Sequence, residues 1–221
     1  MAIAVGDSHS LALCSDGSLA AWGYNSGGQV GDNTVTQRLL PVAVTTIGTP
    51  LAGKTVIAIA AGRHHSFALC SDGTLAAWGL NFYGELGDNS TTDRRVPVAV
   101  TTASTPLAGK TVVTITAGAY HSMALCSDGT LTAWGQNSFA QIGDGTGTQQ
   151  NVAVAVSTGG TPLAGNIIVA IAAGSTHSLA LCSDGTLATW GNNANGQLGD
   201  STSIVRGVPV GVNFSNGISA L

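Results

Sequence analysis

The chain has 221 residues, of which only 8% are charged and 44% are hydrophobic, and its seven basic and eleven acidic side chains give a net charge of −4. Binding to nucleic acid needs clustered lysine and arginine, so this sparse, slightly acidic charge argues against a nucleic-acid partner. No run approaches the roughly 20 apolar residues of a membrane span, and the first residues align with a repeat instead of resembling a signal peptide, so we expect no membrane association.

One motif recurs four times at a spacing of 56 residues, without linkers between the copies. We therefore expect a single repeat array over 1–221, with units at about 1–56, 57–112, 113–168 and 169–221. The repeat places three residue types at equivalent positions, and we interpret these residues as structural. They are His9, His65, His121 and His177; Cys14, Cys70, Cys126 and Cys182; and Trp22, Trp78, Trp134 and Trp190.

The second copy shows the predicted elements of one unit. Apolar residues alternate along Val56–Ala61 and along His65–Cys70, which predicts two strands. The Asp72-Gly73 pair predicts a tight hairpin turn with both residues at positive φ. A third strand is predicted over Thr74–Gly79, followed by a loop of about fifteen residues.

The fourth strand of this copy is predicted over Val96–Val100 and contains a proline. Because proline lacks the hydrogen-bond donor that a central strand needs, this strand belongs at an outer edge. The segment Thr101–Lys110 then returns the chain to the next unit. Four short antiparallel strands per unit predict an all-β fold, a β-propeller of four-stranded antiparallel blades in four repeats of 56 residues.

The repeated motif AAGxxHSxALCSDGTLxAWGxNxxGxLGD resembles the repeat of the regulator of chromosome condensation family. The resemblance covers all four units and implies a propeller, since members of this family are typically seven-bladed propellers. They serve as exchange factors, photoreceptors, enzyme inhibitors or scaffolds, so the family alone does not select a function. The Cys-Ser-Asp-Gly-Thr version with threonine-rich returns is most similar to long bacterial surface arrays, which favours a secreted or cell-surface location.

The repeated side chains are expected to serve the fold. Equivalent histidines in neighbouring blades are too far apart to share a metal ion, and we expect each to be buried and bonded to backbone in its AAGxxHS corner. The tryptophans are expected to pack blade against blade and not to form a light-sensing cluster. The cysteines are expected to stay reduced, because equivalent positions in successive blades are too distant to bridge. No metal and no cofactor are predicted.

The acidic residues give no sign of catalysis. Most of them are explained by hairpin turns and Gly-Asp corners, which leaves Asp7, Glu85 and Asp93 as single residues from different loops. Acid–base catalysis needs paired groups at one site, so we do not expect an enzyme. A thin, solvated basic belt is expected near the outer strands, from the equivalent residues Arg38, Arg94 and Arg206, with Gln150 in the remaining copy.

The loops after the first and third strands of each unit vary between copies, and the meander places both loops on one face. Aromatic residues and arginine are enriched among the energetic centres of interfaces. The alternative is that these are ordinary loop residues that shield their neighbours. The candidate partner-binding residues are Tyr24, Arg63, His64, Phe82, Tyr83, Tyr120 and Phe139.

These features favour a non-catalytic propeller that works as a scaffold or protein-binding module of unknown partner within a larger bacterial repeat protein. One alternative is a regulator or inhibitor that covers a partner enzyme or GTPase through the same face. A carbohydrate-binding module is the other. Because the four units share their packing residues, we also expect a half-ring with exposed flanks, and two chains that pair to close a ring of about eight blades; a fragment of a longer array is the alternative.

Overall fold

A computed structural model describes residues 1–214, which form sixteen strands in four antiparallel sheets, one sheet per repeat. None of these residues lies in a helix long and apolar enough to cross a membrane. The first two blades are β1 (Ala2–Val5), β2 (His9–Leu13), β3 (Leu19–Gly23), β4 (Arg38–Ala43), β5 (Val56–Ala61), β6 (His65–Cys70), β7 (Leu75–Gly79) and β8 (Arg94–Ala99). The third and fourth blades are β9 (Val112–Ala117), β10 (His121–Cys126), β11 (Leu131–Gly135), β12 (Gln150–Ala155), β13 (Ile168–Ala173), β14 (His177–Cys182), β15 (Leu187–Gly191) and β16 (Arg206–Gly211).

Each sheet is a meander in which the strands pair in chain order, which confirms the predicted fold class. The bounds predicted for β5 and β6 are correct, and β7 begins one residue later than predicted. The outermost strand of this blade, β8, starts two residues earlier than predicted and ends one residue earlier. It starts earlier because the register shifts between Ala77 and Gly79, so that Gly79 pairs with Arg94.

The predicted geometry of the Asp-Gly turn is wrong. Gly73 has a φ of 83°, whereas Asp72 is not among the residues with positive φ. The amide of Gly73 donates to the Cys70 carbonyl at 3.0 Å, and the amide of Cys70 donates to the Thr74 carbonyl at 2.8 Å. This is a type I turn followed by one left-handed glycine, a three-residue hairpin that also favours Asp-Gly. Asp72 contributes its carboxylate, which accepts the Thr74 amide at 2.9 Å.

The blades are arranged around an axis lined by their first strands. β1 contacts β5, β5 contacts β9, and β9 contacts β13. The fourth strand of each blade pairs only with the third strand and forms the outer edge, where proline is tolerated. The β1–β2 corners and the long β3–β4 loops, with their equivalents in the other blades, therefore share one face of the molecule, which we call the loop face. The hairpin turns and return segments lie on the opposite face.

The hydrophobic core consists of three clusters, and each cluster joins two consecutive blades. In the cluster between the first two blades, the large residues Leu11, Leu13 and Leu19 meet Ala76 and Trp78 of the next blade. Because a middle blade is covered on both sides, every residue of β6, β7, β10 and β11 is buried. Trp78, Trp134 and Trp190, three of the four tryptophans expected to pack between blades, are fully buried in these clusters.

The four blades form an open arc. Ile3 of the first blade is 84% exposed, whereas its equivalent in the third blade, Ile115, is 8% exposed because the preceding blade covers it. Cys14 is likewise exposed, and Trp22 is only partly buried. At the other end, Leu181 is half-buried, although its equivalents in the other blades are buried.

Candidate functional site

Beneath the loop face, consecutive blades are joined by buried hydrogen bonds that begin at the repeated histidines. His9 Nε2 lies 2.9 Å from Ser66 Oγ of the next blade, and Ser66 Oγ donates to the Gln29 carbonyl at 2.9 Å. Because the hydroxyl has a single hydrogen and uses it on this carbonyl, the imidazole must donate to it and is neutral with its proton on Nε2. The predicted backbone partner of the imidazole is therefore wrong, and the true partner is a serine from the next blade.

The same bonds recur at His65 with Ser122 and at His121 with Ser178. Burial and the neighbouring histidines lower the pKa of His9 to about 4 and the pKa of His65 to about 3. Burial also lowers the pKa of His121 to about 3. A second proton would go to Nδ1, which in His9 and His121 has no partner among residues 1–214. Burial and the serine contacts therefore hold these histidines in the neutral form.

A glycine at each β1–β2 corner lets the blades approach at the axis. A Cβ on Gly62 would lie 2.1 Å from His65 Cε1 and 2.6 Å from the Gly118 carbonyl oxygen, so no other residue fits without displacing them. The corners of all four blades line a concave cavity of about 330 Å³ at the axis of the loop face, formed by residues 5–7, 61–63, 117–119 and 173–175.

The long β3–β4 loops are held by one asparagine each. In the second blade, Asn81 Nδ2 donates to Asp88 Oδ1 at 3.0 Å and to the carbonyls of Ser90 and Thr92, while Asn81 Oδ1 accepts the Leu86 amide at 2.9 Å. Equivalent asparagines, Asn25, Asn137 and Asn193, make corresponding bonds in the other blades. The loops are therefore fixed by residues that do not vary, whereas the residues beside the asparagines do vary.

The expected solvated basic belt is wrong. Arg94 Nε donates to Asp88 Oδ2 at 2.8 Å, and Arg206 Nε donates to Asp200 Oδ2 at 2.6 Å. Arg38 pairs with Asp32 in the same way, and Gln150 of the remaining copy donates to Asp144. These arginines neutralise the aspartates of their own loop corners and do not form a basic surface for a partner.

Four of the candidate binding residues form a connected group on the loop face, which we call the aromatic cluster: Arg63, Phe82, Tyr83 and Tyr120. The ring centroids of Phe82 and Tyr83 are 4.8 Å apart, and those of Tyr83 and Tyr120 are 5.4 Å apart, with the rings edge to face in both pairs. Arg63 Cζ lies 5.4 Å from the Tyr120 ring centroid, and the guanidinium also donates to the Tyr120 hydroxyl. Asp7 holds the other side of this guanidinium at 2.9 Å.

The remaining candidates lie outside the aromatic cluster. Tyr24 and His64 form a separate pair with ring centroids 5.7 Å apart, and burial lowers the pKa of His64. Phe139 is exposed on the equivalent loop of the third blade and has no ring contact within residues 1–214. The contact role of all seven residues stays a prediction, although the cluster shows which of them would act together.

Phe82 also borders a second concavity on the loop face, a groove of about 550 Å³ between the first two blades. Its other lining residues include Val35, Leu80, Asp93 and Arg95. Phe82 is 67% exposed, so its ring is available to a bound molecule from both the groove and the aromatic cluster. The Arg95 side chain forms no ion pair within the part of the chain that is described.

Glu85 is a buried acid directly beneath the aromatic cluster. Burial raises the pKa of its carboxyl to about 7, even though Glu85 Oε2 accepts the Tyr83 amide at 2.8 Å. Its Oε1 has no partner among residues 1–214. The other copies have glutamine at this position. This difference between copies could have singled out Glu85 in the sequence. Sequence reasoning had set Glu85 and Asp7 aside as single acids from different loops and did not place either of them beside the aromatic cluster.

The side chains of residues 1–214 form no group of three or more His, Cys, Asp or Glu that would hold a metal ion. What the loop face does offer is aromatic surface, two concavities and few charges. Such a surface suits recognition of another molecule through shape and apolar contact.

The comparison with protein families identifies the fold. The model of the RCC1-like domain matches residues 1–220. The chain belongs to the RCC1-like domain family. It is 32% identical over 212 residues to the ultraviolet-B receptor UVR8 of Arabidopsis thaliana, with 96% of this chain and 46% of the receptor covered. It is 34% identical over 225 residues to the probable E3 ubiquitin-protein ligase HERC6 of Homo sapiens, with 99% of this chain and 20% of the ligase covered.

Solved structures give the same result for the fold. Human WBSCR16 matches 97% of this RCC1-like chain with 25% identity and a TM-score of 0.82, over 53% of its own length. Yeast RCC1 (Prp20), crystallised with Kap60 bound, matches 97% of this chain with 23% identity and a TM-score of 0.79, over 48% of its own length. The chain thus spans about half or less of the length of these relatives. The relatives named here are plant, human and yeast proteins and do not support a bacterial surface array.

Proposed function

We propose that this RCC1-like chain is a non-catalytic protein-binding module whose contact surface is the loop face, centred on the aromatic cluster. Tyr24, His64 and Phe139 would extend that surface around the cluster. The axial cavity and the groove beside Phe82 would receive protruding side chains of the partner.

The observation that carries this proposal is the mutual support of the four cluster residues. Arg63 is held by Asp7 and Tyr120, and Tyr83 is held between Phe82 and Tyr120. Side chains that are already ordered lose little conformational entropy on binding, so more of their contact energy contributes to affinity. Tyrosine and arginine are also enriched among the residues that dominate interface energies.

The relatives point in the same direction. UVR8 is a receptor, HERC6 is a probable ubiquitin-protein ligase, and yeast RCC1 was crystallised with Kap60 bound. We transfer from them only the use of the propeller as a recognition surface, because this chain spans about half or less of their length. Neither the individual partners nor the bacterial setting suggested by the threonine-rich repeats forms part of the proposal.

The charges of the loop face indicate the kind of partner. Arg63 is neutralised by Asp7, and the outer arginines are neutralised by their own aspartates. Apart from Asp93 and Arg95 beside the groove, whose charges are opposite, these pairs leave little long-range attraction for a strongly acidic or basic partner. We expect a partner surface of mixed apolar and uncharged polar residues, and an affinity that changes little between low and physiological salt.

The test is to replace Phe82 and Tyr83 together by alanine and to compare capture of proteins from the source organism with capture by the unaltered chain. A matched control is Ile47→Ala, which truncates an exposed apolar side chain in a return segment on the opposite face. We expect the double variant to lose 1 kcal/mol or more of binding free energy, about five- to tenfold in affinity, with an almost unchanged melting temperature. Ile47→Ala should bind normally.

Two results would overturn the proposal. A large loss of stability with unchanged binding would show that Phe82 and Tyr83 are packing residues. Binding to a glycan array that disappears in the double variant, without any captured protein, would favour the carbohydrate-binding alternative. Captured proteins that prove to be an enzyme or a GTPase, inhibited or activated on binding, would refine the proposal toward the regulatory alternative.

A further inference from the structure

The three interfaces between consecutive blades use one set of contacts. The later blade provides a serine hydroxyl and a tryptophan Nε1, and both donate to a single carbonyl of the earlier blade. At the second interface, Ser122 Oγ and Trp134 Nε1 donate to the Glu85 carbonyl at 2.9 Å and 2.8 Å. The earlier blade also provides His65, whose Nε2 lies 3.1 Å from Ser122 Oγ. The corresponding contacts recur at the first and third interfaces.

The two ends of the arc carry the separate halves of this set. At the first-blade end, Ser10 and Trp22 occupy the donor positions, and neither side chain has a hydrogen-bond partner in residues 1–214. At the last-blade end, His177 and the Gln197 carbonyl occupy the positions of His65 and the Glu85 carbonyl, again without those bonds among the described residues. The groups missing at one end are thus the groups present at the other.

The apolar surfaces of the two ends are complementary in the same way. The first-blade end exposes Ile3 and Cys14, whose equivalents Ile59 and Cys70 pack against the cluster that contains Leu13. The last-blade end presents Leu181, the equivalent of Leu13, in a half-buried state. An Ile3 side chain placed on the last-blade end would therefore meet the kind of leucine surface that Ile59 meets.

We propose that two copies of this chain associate head to tail, with the first-blade end of each copy packed on the last-blade end of the other. The two new interfaces reproduce the internal ones. Ser10 and Trp22 of one copy donate to the Gln197 backbone carbonyl of the other copy, and His177 of that other copy donates to the same Ser10. A second copy fits better than an unrelated protein because each end matches the other end in hydrogen bonds and in apolar surface. Both interfaces are equivalent by a two-fold axis along the propeller axis. The closed ring has eight blades, within the known range of four to eight, so each step turns by roughly 45°, compared with roughly 51° in a seven-bladed ring.

The first experiment measures the mass of the 221-residue chain by light scattering over a range of concentrations. A dimer of about 44 kDa, from two chains of 21.9 kDa each, is expected. A monomer at all concentrations would overturn the proposal. Both end surfaces would then be expected to pack against further blades of a longer chain. Particles that keep growing with concentration would overturn it as well, because head-to-tail contacts that do not close produce filaments.

The second experiment tests which surfaces meet. Ile3→Lys at one end and Leu181→Glu at the other should each give monomers. The matched control is Ile57→Lys. Ile57 is exposed, and its equivalents Val113 and Val169 in the next two blades are exposed as well, so this position is not covered at an interface between blades. This control should remain a dimer.

Mixing the two monomeric variants should restore a dimer. A mixed pair has one unaltered interface and one in which the new lysine faces the new glutamate, whereas each variant alone has two damaged interfaces. If Leu181→Glu stays dimeric, or if mixing fails to restore the dimer while both variants remain folded by circular dichroism, the head-to-tail arrangement is wrong.

Discussion

The first and third blades carry the same motif, yet their equivalent side chains lie in different environments. Trp134 is fully buried and donates to the Glu85 carbonyl, whereas Trp22 is half-buried and has no such acceptor among the described residues. Cys126 is buried and Cys14 is exposed. The motif therefore specifies a blade whose faces are suited to burial, and the neighbouring blade decides whether burial occurs, as expected for repeats that contact only their neighbours.

The largest difference should appear when the two tryptophans are truncated. We expect Trp134→Ala to lower the free energy of unfolding by about 3–5 kcal/mol, because a large cavity opens and the Glu85 carbonyl loses a donor. Trp22→Ala should lower it by less than half as much. Chemical denaturation of both variants in the Ile3→Lys background, which removes any pairing of chains, provides the measurement. Equal losses would show that the first blade is covered in a way that the arc does not predict.

Acid should destabilise the interior more than the last-blade end. The depressed pKa values of His9, His65 and His121 mean that their stabilising contribution is complete above the unfolded pKa of 6.5 and is lost as the pH falls toward 4. We expect a loss of up to about 3 kcal/mol per histidine by pH 4. The measurement is the free energy of unfolding from pH 7 to pH 4 in the Glu85→Gln variant. This substitution removes the titration of Glu85, which would oppose that of the histidines.

Nuclear magnetic resonance of the histidine rings gives an independent measurement in the same pH range. The pKa of His177 is lowered by burial, but this ring is half-buried and lacks the serine partner within the described residues. In the Ile3→Lys monomer it should therefore titrate at a higher pH than His65 and His121. Three interior histidines that titrate near 6.5 would contradict the buried, neutral arrangement.

Glu85 allows a comparison between the second blade and the other three. Its pKa of about 7 lies above the ordinary value of 4.5, so the contribution of Glu85 to stability is greatest below pH 4.5, falls as the pH rises to 7, and stays constant above that. Glu85→Gln should raise the free energy of unfolding by about 1–3 kcal/mol at pH 8 and have little effect at pH 4. Gln29→Glu is the matched reverse change and should destabilise at pH 8. If Glu85→Gln changes the free energy of unfolding by the same amount at pH 4 and pH 8, burial does not disfavour the charged carboxylate of Glu85.

The smallest effect concerns the thiols and involves no change in stability. Four free thiols should be counted in the denatured, unreduced protein, and fewer would overturn the absence of disulfides. In the folded Ile3→Lys monomer, a thiol reagent should modify Cys14 quickly and the other three cysteines only on unfolding, since burial also raises the pKa of Cys70, Cys126 and Cys182. In the unaltered chain, Cys14 should react more slowly, because its equivalents are covered at interfaces.

The features that could be predicted from the sequence are those set within one blade. Alternating apolar residues and the proline of the last strand were sufficient for the meander, the outer edge and the shared loop face. The partner of His9 was not predictable in this way, because Ser66 lies 57 residues away and is brought near only by packing between blades. The edge-to-face contact of Tyr83 with Tyr120 depends on the same packing.

Other errors had a local signal that we had not used. Arg94 and Asp88 are six residues apart, and the same spacing recurs wherever the arginine is present. The copy without arginine has Gln150 in its place, which still reaches the aspartate. The Asp72-Gly73 turn was assigned the wrong geometry because two hairpin types favour the same dipeptide, and the loop length that separates them was not visible in the sequence.

The asparagine that anchors each long β3–β4 loop affects which substitutions the loop face can accept. In the second blade its amide bonds the loop backbone directly, so we expect substitutions at the adjacent variable positions to leave that loop conformation intact. The loop backbone thus keeps one conformation while it presents different side chains. New recognition specificities can therefore arise by single substitutions or by exchange of whole repeats, and a laboratory library restricted to these positions would explore binding without endangering the fold.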